Sequence, residues 1–257
     1  MKLEDVKLRH PFIVCAVPIP VLIGCVLYTI YENPVGLDRT HCAIPNYIPS
    51  VSAATGVGYR KLFWTVSISL SCIIRVFLHI AYHHVLSDLF ASGNCVNEQC
   101  SLGFHSCIHF TEILGLFLLT VFPSTESFPI HRNSFALFVT SSLLYGITDL
   151  YLLWRLRSLR VFESSVKKPL RRKRWTYVVM FISVFLATLF YFIHSTFCAK
   201  TIYSLFGLSE LVFIFANTYY HFRAVDIVGQ VSCAKLFTYS HLAFPAPRKS
   251  LPYSLDI

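Results

Sequence analysis

The run WTYVVMFISVFLATLFYFI, from Trp175 to Ile193, carries no charged side chain, and it follows directly on Lys167-Lys168-Pro169-Leu170-Arg171-Arg172-Lys173-Arg174. A bilayer core about 30 Å thick takes roughly 20 mainly apolar residues of helix to cross. Hydrocarbon offers the backbone no hydrogen-bond partner, so such a run closes its own bonds as a helix and not as a lone strand. The basic octet before it is read as resting on anionic lipid headgroups. A sorting or nuclear signal is the weaker reading of the same residues.

Working outward from this run, five more stretches have the same character: Pro11–Ile30, Phe63–Tyr82, Phe104–Phe122, Phe135–Trp154 and Ile202–Phe222. His105, His109 and Glu112 dilute the third. Trp64, Trp154 and Trp175 stand at run ends, where interfacial indoles are expected. Pro18 and Pro20 are expected to kink or loosen the first helix, because each removes a backbone donor. That first run follows Lys2, Lys7 and Arg9, and its end, Leu27-Tyr28-Thr29-Ile30-Tyr31, lacks a small-residue cleavage pattern. It is therefore read as a retained signal anchor. The expectation is an all-α fold, a polytopic membrane protein whose six transmembrane helices form one bundle over residues 1–229. A flexible cytosolic tail follows over residues 230–257, with Pro245, Pro247 and Pro252 in it.

Composition agrees. Of 257 residues, 55% are hydrophobic and only 14% charged, against about 25% charged in soluble domains. The formal charge of +9 does not call for nucleic acid once its placement is read. Six spans divide the 22 Lys and Arg residues so that 16 fall on the side of the two termini and the 83–103 and 155–174 loops. Five fall in the 31–62, 123–134 and 194–201 loops, and Arg75 lies within a span. By the positive-inside rule both termini are cytosolic.

Ionisable groups inside spans are functional candidates because lipid makes them expensive. They are Arg75, His79, Glu112, Asp149 and Glu210, with Asn217 and His221 toward the end of the last span. Arg75 and Glu112 each lie about eight residues from the cytosolic ends of consecutive antiparallel helices, or about 12 Å deep at 1.5 Å per residue. An ion pair between them is the preferred reading. Glu210, Asn217 and His221 recur at seven and four and share one helix face, lining a bundle interior or a cleft of lipid-headgroup size. Asp149 sits about a turn and a half from the cytosolic interface and is read as structural, within reach of water.

Three segments on the lumenal side stand out. His41-Cys42-Ala43-Ile44-Pro45-Asn46-Tyr47-Ile48-Pro49-Ser50 is stiffened by two prolines and is expected to form a non-helical lid. The others are Pro123–Asn133 and His194–Cys198. His41, Glu126, His131 and His194 on one membrane face are a set suited to acid–base or metal chemistry, but in no recognised ligand spacing, so no metal is assigned. Cys42 and Cys198 are the only cysteines of these loops, which makes a disulfide between them a reasonable expectation in an oxidising lumen. Cys95, Cys100 and Cys107 on the other side are read as free thiols or palmitoylation sites, and C-x4-C-x6-C is no familiar zinc spacing. No G-x-S-x-G, P-loop, dinucleotide fingerprint or H-E-x-x-H occurs.

These segments resemble one known family. His41 through Ser52 is similar to the first-loop signature of the post-GPI-attachment-to-proteins factor two family. Glu126 through Asn133, with Phe135 and Ser141-Ser142, is similar to its third-loop and fourth-helix segment. Arg75 and Glu112 match intramembrane positions, and Tyr191, His194, Cys198, Tyr203, Glu210, Asn217, His221 and Asp226 complete the likeness. It covers nearly the whole chain, and the wider group is the FGF-receptor-activating-protein/DRAM/Sfk superfamily of six-pass proteins. Asp149 and the tail beyond Gly229 have no counterpart in the resemblance.

What the resemblance implies is remodelling of the lipid of glycosylphosphatidylinositol (GPI) anchors in the Golgi membrane, with the endoplasmic reticulum as a second location. The stage is reacylation with a saturated fatty acid, needed for stable surface expression of GPI-anchored proteins. Partners are then GPI-anchored proteins and their lipid anchor, membrane lipids and the headgroups at residues 167–174, with no nucleic acid. The chain is either an acyltransferase or an essential subunit of one. No cofactor is identified beyond an acyl donor, lipid or acyl-CoA. In the enzyme reading His131 or His194 is the general base and Glu126 or Glu210 orients it. His41, Pro45, Asn46, Tyr47, Asn133, Asn217 and His221 bind substrate, and Arg75, Glu112, Cys42 and Cys198 are structural. The alternative is a non-catalytic membrane adaptor or lipid-sensing protein. A proton-coupled transporter using Glu112 and Glu210 ranks last, since repeated halves are lacking.

Overall fold

The computed structural model describes residues 17–33, 40, 42–92, 98–158 and 163–224, without the side chains of 163–166. The start of the first run, His41, Cys95, Asp226 and the tail at 230–257 lie outside the described residues. Within them every regular element is a helix: α1 (Pro18–Glu32), α2 (Val51–Thr55), α3 (Gly58–Ser92), α4 (Gln99–Val121), α5 (Phe128–Ser158), α6 (Glu163–Phe197) and α7 (Ile202–Phe222). Five of them, α3 to α7, are long and apolar enough to cross a membrane, and α1 is a shorter apolar helix. The chain is a multi-pass membrane protein.

The helices outrun the apolar stretches that announce them, because a helix need not stop where the bilayer does. At about 1.5 Å per residue, the 35 residues of α3 exceed the hydrocarbon thickness by more than ten residues. The early start of α4 at Gln99 puts His105 and His109 inside the bundle, where both are buried. Pro18 and Pro20 do not kink α1: they stand in its first turn, where a missing N–H removes no intrahelical bond. Pro169, by contrast, lies inside α6, so the basic octet is itself helical.

Surface and interior are inverted relative to a soluble protein. Helix α6 turns Phe181, Ile182, Phe185 and Phe192 outward, and α3 does the same with Phe63, Ile73 and Phe77. Apolar exposure on this scale fits lipid contact. The interior holds two apolar clusters. One centres on Leu22, Trp64, Leu116, Phe138 and Phe213, the other on Tyr82, Leu86, Leu102, Leu152 and Leu156. Close approach of α4 and α5 depends on Gly115, whose added Cβ would lie 2.8 Å from the Phe138 nitrogen. Small residues at such crossings are how membrane helices gain packing without a hydrophobic drive between them.

Candidate functional site

The segment after Cys42 is extended and is drawn onto the start of α7 at several points. The Cys42–Cys198 disulfide joins it to the turn between α6 and α7. Ser204 Oγ accepts from the Tyr47 amide at 2.9 Å. Gly207 leaves room for the Pro49 carbonyl, which an added Cβ would meet at 2.7 Å. Ser50 then caps α2, its Oγ accepting from the Ala53 amide at 3.3 Å. Glu210 Oε2 accepts from the Val51 amide at 3.0 Å. A buried carboxylate at the first amides of a helix satisfies donors that have no intrahelical acceptor. The pre-α5 turn joins the same end through Lys61–Glu126 and the Thr125 hydroxyl, which donates to the Gly56 carbonyl at 3.3 Å.

Releasing this segment tests how much the disulfide holds. Replacing Cys42 and Cys198 by serine is expected to lower stability by about 2–4 kcal/mol. Amide exchange across residues 42–57 should rise roughly tenfold or more. Exchange in the double variant equal to wild type would mean that Ser204 and Glu210 hold the segment alone.

Beneath it lies a cavity of about 650 Å³. Leu116, Phe135, Phe138 and Phe213 give it apolar walls, and Arg75, His131, His194, Glu210 and Asn217 contribute polar groups. A large apolar volume with a few placed polar groups is the form of a small-molecule or lipid site. His194 is buried with its ring centroid 4.7 Å from that of Tyr203. His131 Nδ1 is 3.0 Å from the Phe122 carbonyl oxygen. A carbonyl only accepts, so Nδ1 carries the proton and Nε2 of the neutral ring is the basic nitrogen. Glu126 is exposed and paired with Lys61, and Asn133 is exposed as well. Of the first-loop candidates, Asn46 is buried while Pro45 and Tyr47 are exposed.

Deeper in the bundle a second polar assembly centres on Glu112, which is fully buried. Its Oε1 accepts from Ser142 Oγ at 2.9 Å and Asn217 Nδ2 at 2.8 Å, and lies 2.8 Å from His221 Nε2. Arg75 Nη1 is 3.7 Å from the same oxygen and donates to Asn217 Oδ1 at 3.0 Å. Asn217 is thereby fixed in orientation, amide toward the carboxylate and carbonyl toward the guanidinium. Ser142 entered the sequence reading only through the family resemblance and was given no role there. It shares a face of α5 with Tyr145 and Asp149 at spacings of three and four, a signal that was open to reading.

Asp149 corrects the sequence reading. It is fully buried, not within reach of water. Its Oδ1 accepts from Tyr82 OH at 2.7 Å, and its Oδ2 accepts from Tyr220 OH and Lys173 Nζ, both at 2.8 Å. Lys173 is likewise fully buried, so one member of the basic octet faces inward while Lys167, Lys168, Arg171, Arg172 and Arg174 are exposed. A cation leaves the interface only for a partner that replaces its hydration, and Asp149 is that partner. Cys100 and Cys107 are exposed free thiols.

The match to known proteins covers this whole arrangement. A family model described as the Frag1/DRAM/Sfk1/Cwh43P N-terminal domain matches residues 9–226. A Danio rerio protein named Acyltransferase PGAP2 is 29% identical over 204 residues, 76% of this chain and 85% of its own. A Drosophila melanogaster protein named Post-GPI attachment to proteins factor 2 is 29% identical over 240 residues, 88% of this chain and 91% of its own. A Caenorhabditis elegans protein of the same name is 26% identical over 218 residues, 82% of this chain and 81% of its own. No solved structure matches.

Proposed function

Since the chain belongs to the Frag1/DRAM/Sfk1/Cwh43P N-terminal domain family, we propose that it acts in GPI-anchor maturation, remodelling the anchor's lipid at the reacylation stage in the Golgi. The supporting observation is the cavity of about 650 Å³ under the disulfide-pinned segment, with His131 and His194 in its wall. The topology that goes with it has six spans, α1 included, with both chain ends in the cytosol and this segment in the lumen. The excess of Lys and Arg in the 155–174 segment supports that orientation. A lyso-anchor in the lumenal leaflet then enters the cavity without leaving its bilayer.

In this reading the reacting ends of the saturated donor, a phospholipid or acyl-CoA, and of the lyso-anchor meet in the cavity, the rest of each lipid lying outside it. His131 Nε2 takes the proton of the free anchor hydroxyl as its oxygen attacks the donor carbonyl. The Phe122 carbonyl holds the ring in the required tautomer. Collapse of the tetrahedral intermediate forms the new ester and releases the donor's leaving group, which takes the proton back from His131. His194 is the second candidate base. Asn46, Tyr47 and Asn217 are assigned to substrate contact, and Glu210 to holding the roof.

Turnover by purified protein in nanodiscs, given a lyso-anchor and a saturated donor, tests this assignment. His131→Ala is expected to lower the rate by about 10²–10⁴, the usual contribution of a general base. An unchanged rate in both His131→Ala and His194→Ala removes the histidines from the chemistry. The second reading is a non-catalytic adaptor or lipid-sensing protein. It is favoured by the engagement of Glu126 with Lys61 and of Glu210 with Val51, both architectural. No turnover by folded wild type in this assay supports it.

A further inference from the structure

Glu112 keeps one oxygen outside its network. Oε1 takes Ser142, Asn217 and His221, whereas Oε2 is buried without a hydrogen-bond partner. His109 Nδ1 lies 3.5 Å from Oε2 and is also buried without a hydrogen bond. That separation is long for an N–H···O bond. It is, however, the edge of a coordination tetrahedron: ligand atoms about 2.0–2.2 Å from a zinc ion stand about 3.4 Å from one another.

His109 and Glu112 are three apart on α4 and so occupy one face, and α7 adds His221, 109 positions away from Glu112. One ligand atom from each of the three lies within 4.8 Å of the others. Beside them is a void of about 10 Å³ lined by Arg75, His79, His109, Tyr145 and His221. That is room for about one water or one ion. His79 Nδ1 is a further buried nitrogen without a hydrogen bond, and its ring centroid is 4.3 Å from that of His109. Buried polar atoms are normally paired. Two of these open groups, His79 and His109, line the ion-sized void, and the open oxygen of Glu112 faces His109 next to it, an arrangement that calls for something that accepts lone pairs.

We propose that His109, Glu112 and His221 bind one transition-metal dication of the zinc class, His221 Nε2 giving up its proton and its hydrogen bond to Glu112 Oε1 in favour of the metal. Two imidazoles and a carboxylate suit zinc and its neighbours, whereas calcium and magnesium prefer all-oxygen sets. Three protein ligands leave a coordination position open, with His79 beside it. Arg75 faces the same carboxylate at 3.7 Å and cancels its charge, so the occupied site carries the net charge of a three-histidine zinc centre. Arg75 also lines the large cavity, which sets the metal next to its floor. The metal ties α4 to α7. The proposal does not rest on anchor remodelling, because its readout is metal content.

The full chain, purified in nanodiscs without chelator, is analysed for metals by inductively coupled plasma mass spectrometry. The expected result is about one zinc-class ion per chain. It falls at least about fivefold in His109→Ala and in His221→Ala and is retained in His84→Ala, a change at an exposed histidine. Wild type stripped of metal and titrated with Co²⁺ is expected to develop the visible ligand-field bands of a protein-held ion. This second measurement uses folded wild type, so it decides even where the variants do not fold. Wild type that purifies without metal and leaves Co²⁺ with its hydrated spectrum overturns the proposal. So do variants at His109 and His221 that hold as much metal as wild type.

Discussion

Glu112→Leu is expected to yield little folded protein, because it strands a cation inside the bundle. Arg75 is 5% exposed, and Glu112 is the carboxylate it faces, 3.7 Å away. Removing one partner of a buried pair costs about 3–5 kcal/mol, most of it the penalty of the uncompensated charge. Ser142 and Asn217 lose their acceptor as well, at about 1 kcal/mol or more each. Together these losses approach the entire stability of an ordinary domain. Arg75→Met in the Glu112→Leu background should recover a large part, since no charge is then stranded. Thermal unfolding of the single and double variants in detergent provides the comparison. A Glu112→Leu protein as stable as wild type would remove the carboxylate from its central place in the bundle.

Lys173→Met is expected to be nearly as severe, and Lys168→Met, five residues earlier in the same basic octet, almost silent. Lys173 is fully buried, with its ammonium 2.8 Å from Asp149 and 4.8 Å from the ring centroids of Tyr82 and Tyr220. Without it Asp149 keeps two hydroxyl donors but remains a buried anion, again at about 3–5 kcal/mol. Lys168 is exposed and has water at hand. Melting temperatures of the two variants, measured side by side, check the contrast. Equal and small effects would place Lys173 at the interface with its neighbours.

This contrast marks where the sequence is legible and where it is not. The apolar runs declare helices because lipid admits little else, and all six runs lie on helices in the described residues. Equal depth on consecutive helices was sufficient to pair Arg75 with Glu112 before any coordinates. The stripe of Glu210, Asn217 and His221 was readable from spacing alone, although it divides in space: Glu210 meets the roof, Asn217 and His221 meet Glu112. Lys173 was not legible. A helix that continues through Pro169 rotates one lysine of the octet inward, and composition carries no phase. His109 was obscured in the same way: it counted as a dilution of the third apolar run, and composition does not tell which face of α4 it occupies. The bond from His131 to the Phe122 carbonyl involves a backbone acceptor, which no residue pattern displays.

The architecture joins these parts in a fixed order. Loops at one end, linked by the disulfide and capped by Glu210, roof a cavity whose walls are apolar. Arg75 and Asn217 belong both to that cavity and to the Glu112 network. The cavity floor is therefore held rigid by buried charge, and under the proposed function a lipid would rest on it.

The most direct measurement is expression of the chain in cells that lack the post-GPI-attachment factor. Surface retention of a GPI-anchored reporter is followed, and the fatty acids of its anchor are read by mass spectrometry. The account predicts restored retention together with a saturated chain on the anchor, and loss of both in His131→Ala delivered normally to the Golgi. Wild-type protein that reaches the Golgi and leaves the anchor unremodelled would contradict it.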